Sequence, residues 1–368
     1  MPPLQLLIKP VSGTCNMRCG YCFYCDEMEK RRTPNFGIMS IDTLEQIVRE
    51  TLKESDACCG FTFQGGEPTL AGIDFYQNLL RFQACHNEKN VKIINAIQTN
   101  GYGITEDWAQ FLSENHILVG VSLDGVKYTH NAYRKSVSGE DTFGRVMKGI
   151  EYLENHNAEF NILTVVNDRT ARLVSRIYSF YKKHGWKYLQ FIPCLDPLQD
   201  IPGQRDYSLN PELYGAFLCE LFELWYIDLE KGEQPYIRLF ENYIAILMGY
   251  PAEACDQRGC CSVQYVTEAD GSVYPCDFYV TEEYFLGRFG EDTLREMEER
   301  GASLGFDGQE REDLKACGSC EYFWLCRGGC KRHWSQGQNH FCPAFRTFFR
   351  TCLPRMKMIA ARLSMGQR

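Results

Sequence analysis

The 368-residue chain has no apolar run near the roughly 18 residues that a bilayer-crossing helix requires. Its first residues, MPPLQLLIKP, lack the basic and apolar regions of a secretory leader. Positive charge is in deficit, since 39 Lys and Arg stand against 48 Asp and Glu for a formal net charge of −9. A nucleic-acid partner is therefore not expected, because affinity for polyanions rests on clustered positive charge. There is no internal repeat, heptad pattern or low-complexity tract. The expectation is a soluble cytoplasmic globular protein with no membrane association, and 44% hydrophobic with 24% charged residues fits that class. Cysteine is what the chain has in quantity, with 19 residues. That is about 5% of the chain, below the roughly 8–10% of small secreted disulfide scaffolds. An odd number also prevents complete internal pairing. Clustered cysteines without an export signal point to metal ligation or catalysis.

From residue 4 to about 194, β-branched runs alternate with amphipathic stretches. The runs are Leu4–Lys9, Phe61–Gln64, Lys92–Gln98, Ile117–Leu123, Phe160–Val166 and Tyr188–Pro193. Helical patterns cover Ile41–Ser55, Ile73–His86, Glu106–Asn115, Thr142–Asn157 and Thr170–His184. This alternation predicts parallel βαβ units, hence an α/β fold. Six units suit a partial (β/α)6 TIM-like barrel better than a complete eight-stranded one. The expected organisation is a barrel over 1–195, a helical linker region over 196–250 and a small cysteine-rich domain over 251–368. The linker region holds the helical stretches Pro211–Glu230 and Pro235–Met248. A hairpin is expected in VQYVTEADGSVYPC with Asp270-Gly271 at its turn, and a last helix over Ala344–Leu363. The segments after the strands (CNMRCGYC, GGEP, TNG, DG) lie on the edge that carries chemistry in such folds.

Cys15, Cys19 and Cys22 form C-x3-C-x2-C after the first strand. Three thiolates hold three irons of a 4Fe–4S cube and leave the fourth open, where an electron-transfer site would add a fourth cysteine. Cys25 keeps a zinc site open as the alternative. Together with GGEP (Gly65, Gly66, Glu67, Pro68) after the second strand, the triad resembles the radical S-adenosylmethionine enzymes. That resemblance implies S-adenosylmethionine chelated to the open iron and cleaved by one electron to a 5′-deoxyadenosyl radical. It implies that GGEP, Gly66 included, brings backbone close to the ligand, as glycine permits. It further implies S-adenosylmethionine contacts from Ser122 and Arg134, with Leu195 near the adenine and Tyr21 bordering the cofactor. A guanidinium suits a carboxylate through two parallel hydrogen bonds. A solvated arginine in the NAYRKS segment is the alternative for Arg134.

The C-terminal cysteines resemble the SPASM extension of peptide-modifying radical enzymes, which binds two auxiliary 4Fe–4S clusters. By that resemblance Cys255, Cys261, Cys276 and Cys330 hold one cluster, and Cys317, Cys320, Cys326 and Cys342 hold the other. Cys260 competes with Cys261, and Cys352 with Cys342. Two zinc ribbons, with His333 and His340 as further donors, are the alternative. The remaining cysteines read as small packed apolar residues.

LLIKP, CGYCFY, FQGGEPTLAG, IQTNG, SLDG, QFIPCLDPL and DGSVYPCDFYV narrow the resemblance to the anaerobic sulfatase-maturating enzymes, over nearly the whole chain. The resemblance implies oxidation of a cysteine or serine, within a C/S-x-A/P-x-R motif of a sulfatase polypeptide, to Cα-formylglycine. It implies three 4Fe–4S clusters, S-adenosylmethionine and a flavodoxin- or ferredoxin-like electron donor. Asp277, after Cys276, matches the catalytic base that takes the substrate's proton. Gln64 is expected to bond substrate backbone, and Tyr24 to line the same pocket. The rival readings are another SPASM peptide-modifying enzyme, forming a thioether or epimerising a residue, and a non-catalytic zinc or electron-transfer scaffold.

Overall fold

The structure, a computed structural model, describes residues 4–306 and 317–366. In chain order its strands are β1 (Leu4–Ile8), β2 (Cys58–Phe63), β3 (Lys92–Thr99), β4 (Leu118–Ser122), β5 (Phe160–Val166), β6 (Tyr188–Pro193), β7 (Tyr236–Ile237), β8 (Val266–Thr267), β9 (Ser272–Tyr274) and β10 (Gly287–Arg288). A short two-stranded ribbon near residue 335 completes the set among the described residues. The chain divides into two compact units. One comprises residues 4–122, 134–160 and 262–306, and the other 123–133, 161–261 and 317–366.

In the first unit the strands run β10-β9-β8-β1-β2-β3-β4. The parallel register sets Leu6 beside Phe61, Thr62 beside Ala96 and Gln98 beside Gly120. Leu6, Ile8, Phe61, Phe63, Val119 and Val121 are buried, the near-continuous apolar signature of parallel strands. The helices Ile41–Glu54 and Glu106–Glu114 start where Ser40 and Thr105 accept hydrogen bonds from the backbone N–H of Thr43 and Trp108. Strand β2 begins at Cys58, earlier than its apolar run. Gly60 lies inside it, beside Gln5 on β1.

The expected hairpin forms, with β8 and β9 antiparallel and Gly271 at φ +87°. Its first strand also pairs parallel with β1, Leu7 beside Val266 and Ile8 beside Thr267, and Lys9 N donates to Thr267 O at 2.8 Å. This pairing delivers residues 268–277 to the end of β1.

In the second unit β5, β6 and β7 are parallel. The segment expected as one helix from Thr170 is two, Asp168–Ala171 and Val174–Lys183. A capping box between Asn167 and Thr170 starts the first early, and Leu173, at φ −125°, interrupts the run. Helices Pro211–Leu229, Arg238–Leu247 and Cys342–Ser364 share an aromatic core of Phe222, Trp225, Phe240 and Phe348. A Cβ on Gly215 would stand 3.1 Å from Ala344 Cα, so this glycine sets how closely two of these helices approach. The boundaries expected at 195 and 250 therefore fall inside this unit, because the intervening helices are core members rather than spacers. Among the described residues no helix is long and apolar enough to cross a membrane.

Candidate active site

The loops after β1, β2 and β3 are stitched together by one buried carboxylate. Glu67 accepts from Thr69 N at 3.1 Å, Thr69 Oγ1 and Thr99 Oγ1 at 2.7 Å, and Asn100 N at 2.7 Å. Its own N–H donates to Thr14 O at 2.8 Å. Gly66 has φ +56°, and a Cβ there would run into the Thr14 carbonyl. A Cβ on Gly65 would stand 2.5 Å from Lys9 Cγ. The close approach that these glycines permit within the chain is to its own first loop. Asn100 Nδ2 continues the network to Asn16 Oδ1 at 2.8 Å and to Cys15 Sγ at 3.5 Å.

Cys15, Cys19 and Cys22 are half-buried on this loop. Burial pushes the Cys15 thiol up to about 12, and both neighbouring thiols of the triad add to the shift. Arg18 N donates to Lys135 O at 2.8 Å, which ties the loop to the segment carrying Arg134. Arg134 is 5% exposed, not solvated, and its Nη1 donates to Tyr21 Oη at 3.1 Å. A seven-residue helix, Lys127–Tyr133, precedes it. Ser122, closing β4, accepts from Gln98 Nε2 at 3.1 Å. Leu195 is half-buried in the second unit, after β6.

Asp277 is 4% exposed. Its Oδ2 accepts from Tyr24 Oη at 2.6 Å and from Gln64 Nε2 at 3.0 Å, while Gln64 also donates to Tyr24 Oη at 2.9 Å. The three expected residues are thereby brought together from the helix Phe23–Lys30, the end of β2 and the segment after β9. Behind them lies an ionic cluster that sequence reasoning missed. Lys9 Nζ stands 3.3 Å from Glu27 Oε2, 3.4 Å from Asp277 Oδ1 and 3.6 Å from Glu268 Oε1. Arg31 Nη1 stands 2.5 Å from Glu268 Oε1. Burial alone would lower the Lys9 pKa, but the three carboxylates outweigh it and raise it. Burial would raise that of Glu268, but Lys9 and Arg31 hold it low. Burial pushes the Tyr24 phenol well above its ordinary range, so it remains a donor to Asp277.

Burial also pushes the Glu27 carboxyl up to about 7 against the pull of Lys9. A carboxyl that keeps its proton longer when folded stabilises the fold at low pH. That contribution is lost as pH rises from its ordinary 4.5 to about 7. Glu27→Gln, neutral throughout, should flatten this dependence and raise Tm at pH 8 by roughly 5 °C over the parent. Parallel Tm curves for the two proteins from pH 5 to 8 would contradict the assignment.

In the second unit Cys317, Cys320, Cys326 and Cys342 line one cavity of about 70 Å³ with Tyr322, Phe323 and Phe345. Burial raises the Cys330 thiol to about 12, with Cys255 and Cys261 contributing. Cys276, in the first unit, follows β9 by two residues. Cys260 is exposed, and Cys352 is buried and hydrogen-bonded with Cys219. The spare zinc donors are otherwise engaged. His333 packs on Phe341, with burial lowering its imidazole to about 3, and His340 Nε2 lies 3.3 Å from Leu209 O. Among the described residues no three Cys, His, Asp or Glu side chains converge as one metal ion requires. A cube distributes its thiolates over several irons and needs no such convergence. Sulfur-only donors around one cavity fit a cluster of that kind.

The Radical SAM superfamily profile matches residues 10–180. The cysteine-type anaerobic sulfatase-maturating enzyme of Clostridium novyi is 43% identical over 374 residues, covering 100% of each chain. The serine-type anaerobic sulfatase-maturating enzyme of Bacteroides thetaiotaomicron is 31% identical over 384 residues, covering 98% of this chain and 92% of that one. In three dimensions the chain is similar to native anSMEcpe with bound AdoMet and Cp18Cys peptide, with a TM-score of 0.93, 43% identity and coverage of 98% of this chain and 100% of that one. A thiol triad stitched to a GGEP loop, found in a chain alike along its whole length, places this protein in the anaerobic sulfatase-maturating enzymes of the radical SAM superfamily.

Proposed function

We propose that this chain oxidises a cysteine of a sulfatase polypeptide, within a C/S-x-A/P-x-R motif, to Cα-formylglycine. The observation that carries the reading is the Asp277 carboxylate, buried yet held at one oxygen by Tyr24 and Gln64. The choice of cysteine over serine is supported by the higher identity to the cysteine-type relative, 43% against 31%.

Cys15, Cys19 and Cys22 would hold the cluster that binds S-adenosylmethionine. Cys255, Cys261, Cys276 and Cys330 would hold one auxiliary 4Fe–4S cluster, and Cys317, Cys320, Cys326 and Cys342 the other. When bound, these groups supply a radical that removes one Cβ hydrogen atom and acceptors for the electron that follows. Arg134, buried and bonded to Tyr21, would pair with the cofactor's carboxylate, and Ser122, Gly66 and Leu195 would complete its binding residues. Asp277 Oδ2 takes the thiol proton on the lone pair that Gln64 releases, and Tyr24 keeps that oxygen aimed. Gln64 exchanges one of its hydrogen bonds for substrate backbone. Loss of a hydrogen atom, a proton and an electron leaves a thioaldehyde, which water converts to the aldehyde with release of sulfide. The reducing electron is delivered by a flavodoxin- or ferredoxin-like protein.

The test is anaerobic incubation with S-adenosylmethionine, a reductant and a short C-x-P-x-R peptide. A peptide aldehyde trapped by a hydrazine reagent is the expected product. An untouched sulfatase peptide, together with a thioether in a cysteine-rich precursor, would transfer the chain to the crosslinking enzymes.

A further inference from the structure

Lys9 is 1% exposed, the last charged group before the cysteine loop, and nothing in its sequence neighbourhood requires a buried ammonium. Three features fix it in place. Its backbone N–H is bonded to Thr267 O, so the end of β1 is locked to the hairpin. Its stem passes over Gly65, where any Cβ would displace it. Its ammonium lies 4.7 Å from the centre of the Tyr24 ring, the ring whose hydroxyl donates to Asp277.

The two oxygens of Asp277 have different surroundings. Oδ2 has two hydrogen-bond donors, Tyr24 and Gln64. Oδ1 is buried and accepts no hydrogen bond, and its contact is the Lys9 ammonium at 3.4 Å. An aspartate's terminal torsion is broad and nearly two-fold, so hydrogen bonds to one oxygen alone define its plane poorly. Arg31, the other buried cation of this cluster, is spent on Glu268 and on Ser12 Oγ at 3.1 Å.

We propose that Lys9 is a positioning residue of the oxidation site, holding Asp277 by Oδ1 so that Oδ2 is presented to the substrate thiol. This rests on Asp277 being the base. Without the ammonium, Oδ1 would share the buried site with Glu27 and no cation of its own, and the carboxylate would swing away from the pocket. Misplacing a reacting group by about 1 Å costs on the order of 10²-fold in rate.

Lys9→Met alone leaves buried carboxylates without their cation, which destabilises the fold and confounds any loss of activity. The variant to make is therefore the charge-balanced pair Lys9→Met/Glu27→Gln. Its melting temperature, iron content, 5′-deoxyadenosine and peptide aldehyde are measured on one preparation, beside Asp277→Asn. The expected result is a folded, iron-replete protein that still cleaves S-adenosylmethionine. Its aldehyde yield at saturating peptide falls on the order of 10²-fold with little change in peptide KM, so the ratio of 5′-deoxyadenosine to aldehyde rises by that factor. A parental ratio in the double variant would overturn the proposal. So would a parallel fall of iron, 5′-deoxyadenosine and aldehyde, which marks a purely structural lysine. Full aldehyde formation by Asp277→Asn would overturn the base reading and this inference with it, whereas a parental ratio confined to the lysine variant would overturn this inference alone.

Discussion

Asp277→Asn should abolish most aldehyde formation while leaving the protein folded and its iron in place. Asparagine is nearly isosteric, and it can still accept hydrogen bonds from Tyr24 and Gln64, which bond the carboxylate at 2.6 and 3.0 Å. What it lacks is the basicity to take a proton, and loss of a general base typically costs about 10²–10⁴-fold. Cleavage of S-adenosylmethionine should suffer much less, because it belongs to the Cys15–Cys22 loop. A structural aspartate supporting the loop of Cys276 would behave differently, with iron and activity falling together. Iron, 5′-deoxyadenosine and aldehyde determined on one preparation separate the two cases. Unimpaired peptide oxidation by an iron-replete Asp277→Asn protein would exclude Asp277 as the base.

Replacing Cys15, Cys19 and Cys22 together by alanine should eliminate 5′-deoxyadenosine production to the detection limit. The parent is expected to carry about twelve iron and twelve sulfide per chain, from three clusters, and this variant about eight of each. The C-terminal thiols should keep their iron, since Cys317, Cys320, Cys326 and Cys342 line a cavity of their own within the second unit. Residual S-adenosylmethionine cleavage would refute the triad's assignment. A parent holding only about four iron would remove the auxiliary sites.

Motifs close in sequence proved the most legible. The triad, GGEP and the Asp270-Gly271 turn are recognised from residues a few positions apart, and the alternation of apolar runs with amphipathic helices located the strands of the parallel sheet. Short helices escaped, because eight residues at Phe23–Lys30 and seven at Lys127–Tyr133 offer barely two turns of periodicity. A solvated Arg134 stayed open as the alternative to a cofactor contact, since the segment around it read as a loop. The ionic cluster was invisible for a different cause. Lys9, Glu27, Arg31 and Glu268 look like surface charges along the chain, and only the pairing of Leu7 and Ile8 with Val266 and Thr267 makes them neighbours. Long-range strand pairing leaves no local periodicity to read. Nor could composition show that the helices after residue 211 enter a core with the terminal helix, because an amphipathic face does not name its partner.

The account's central claim is that one hydrogen atom is taken from Cβ of the substrate cysteine while Asp277 takes the thiol proton. The most direct measurement is the mass of 5′-deoxyadenosine formed with a C-x-P-x-R peptide whose cysteine carries deuterium only at Cβ. The account predicts 5′-deoxyadenosine heavier by one mass unit, appearing in step with peptide aldehyde. Unlabelled 5′-deoxyadenosine accompanying full conversion of the peptide would contradict it.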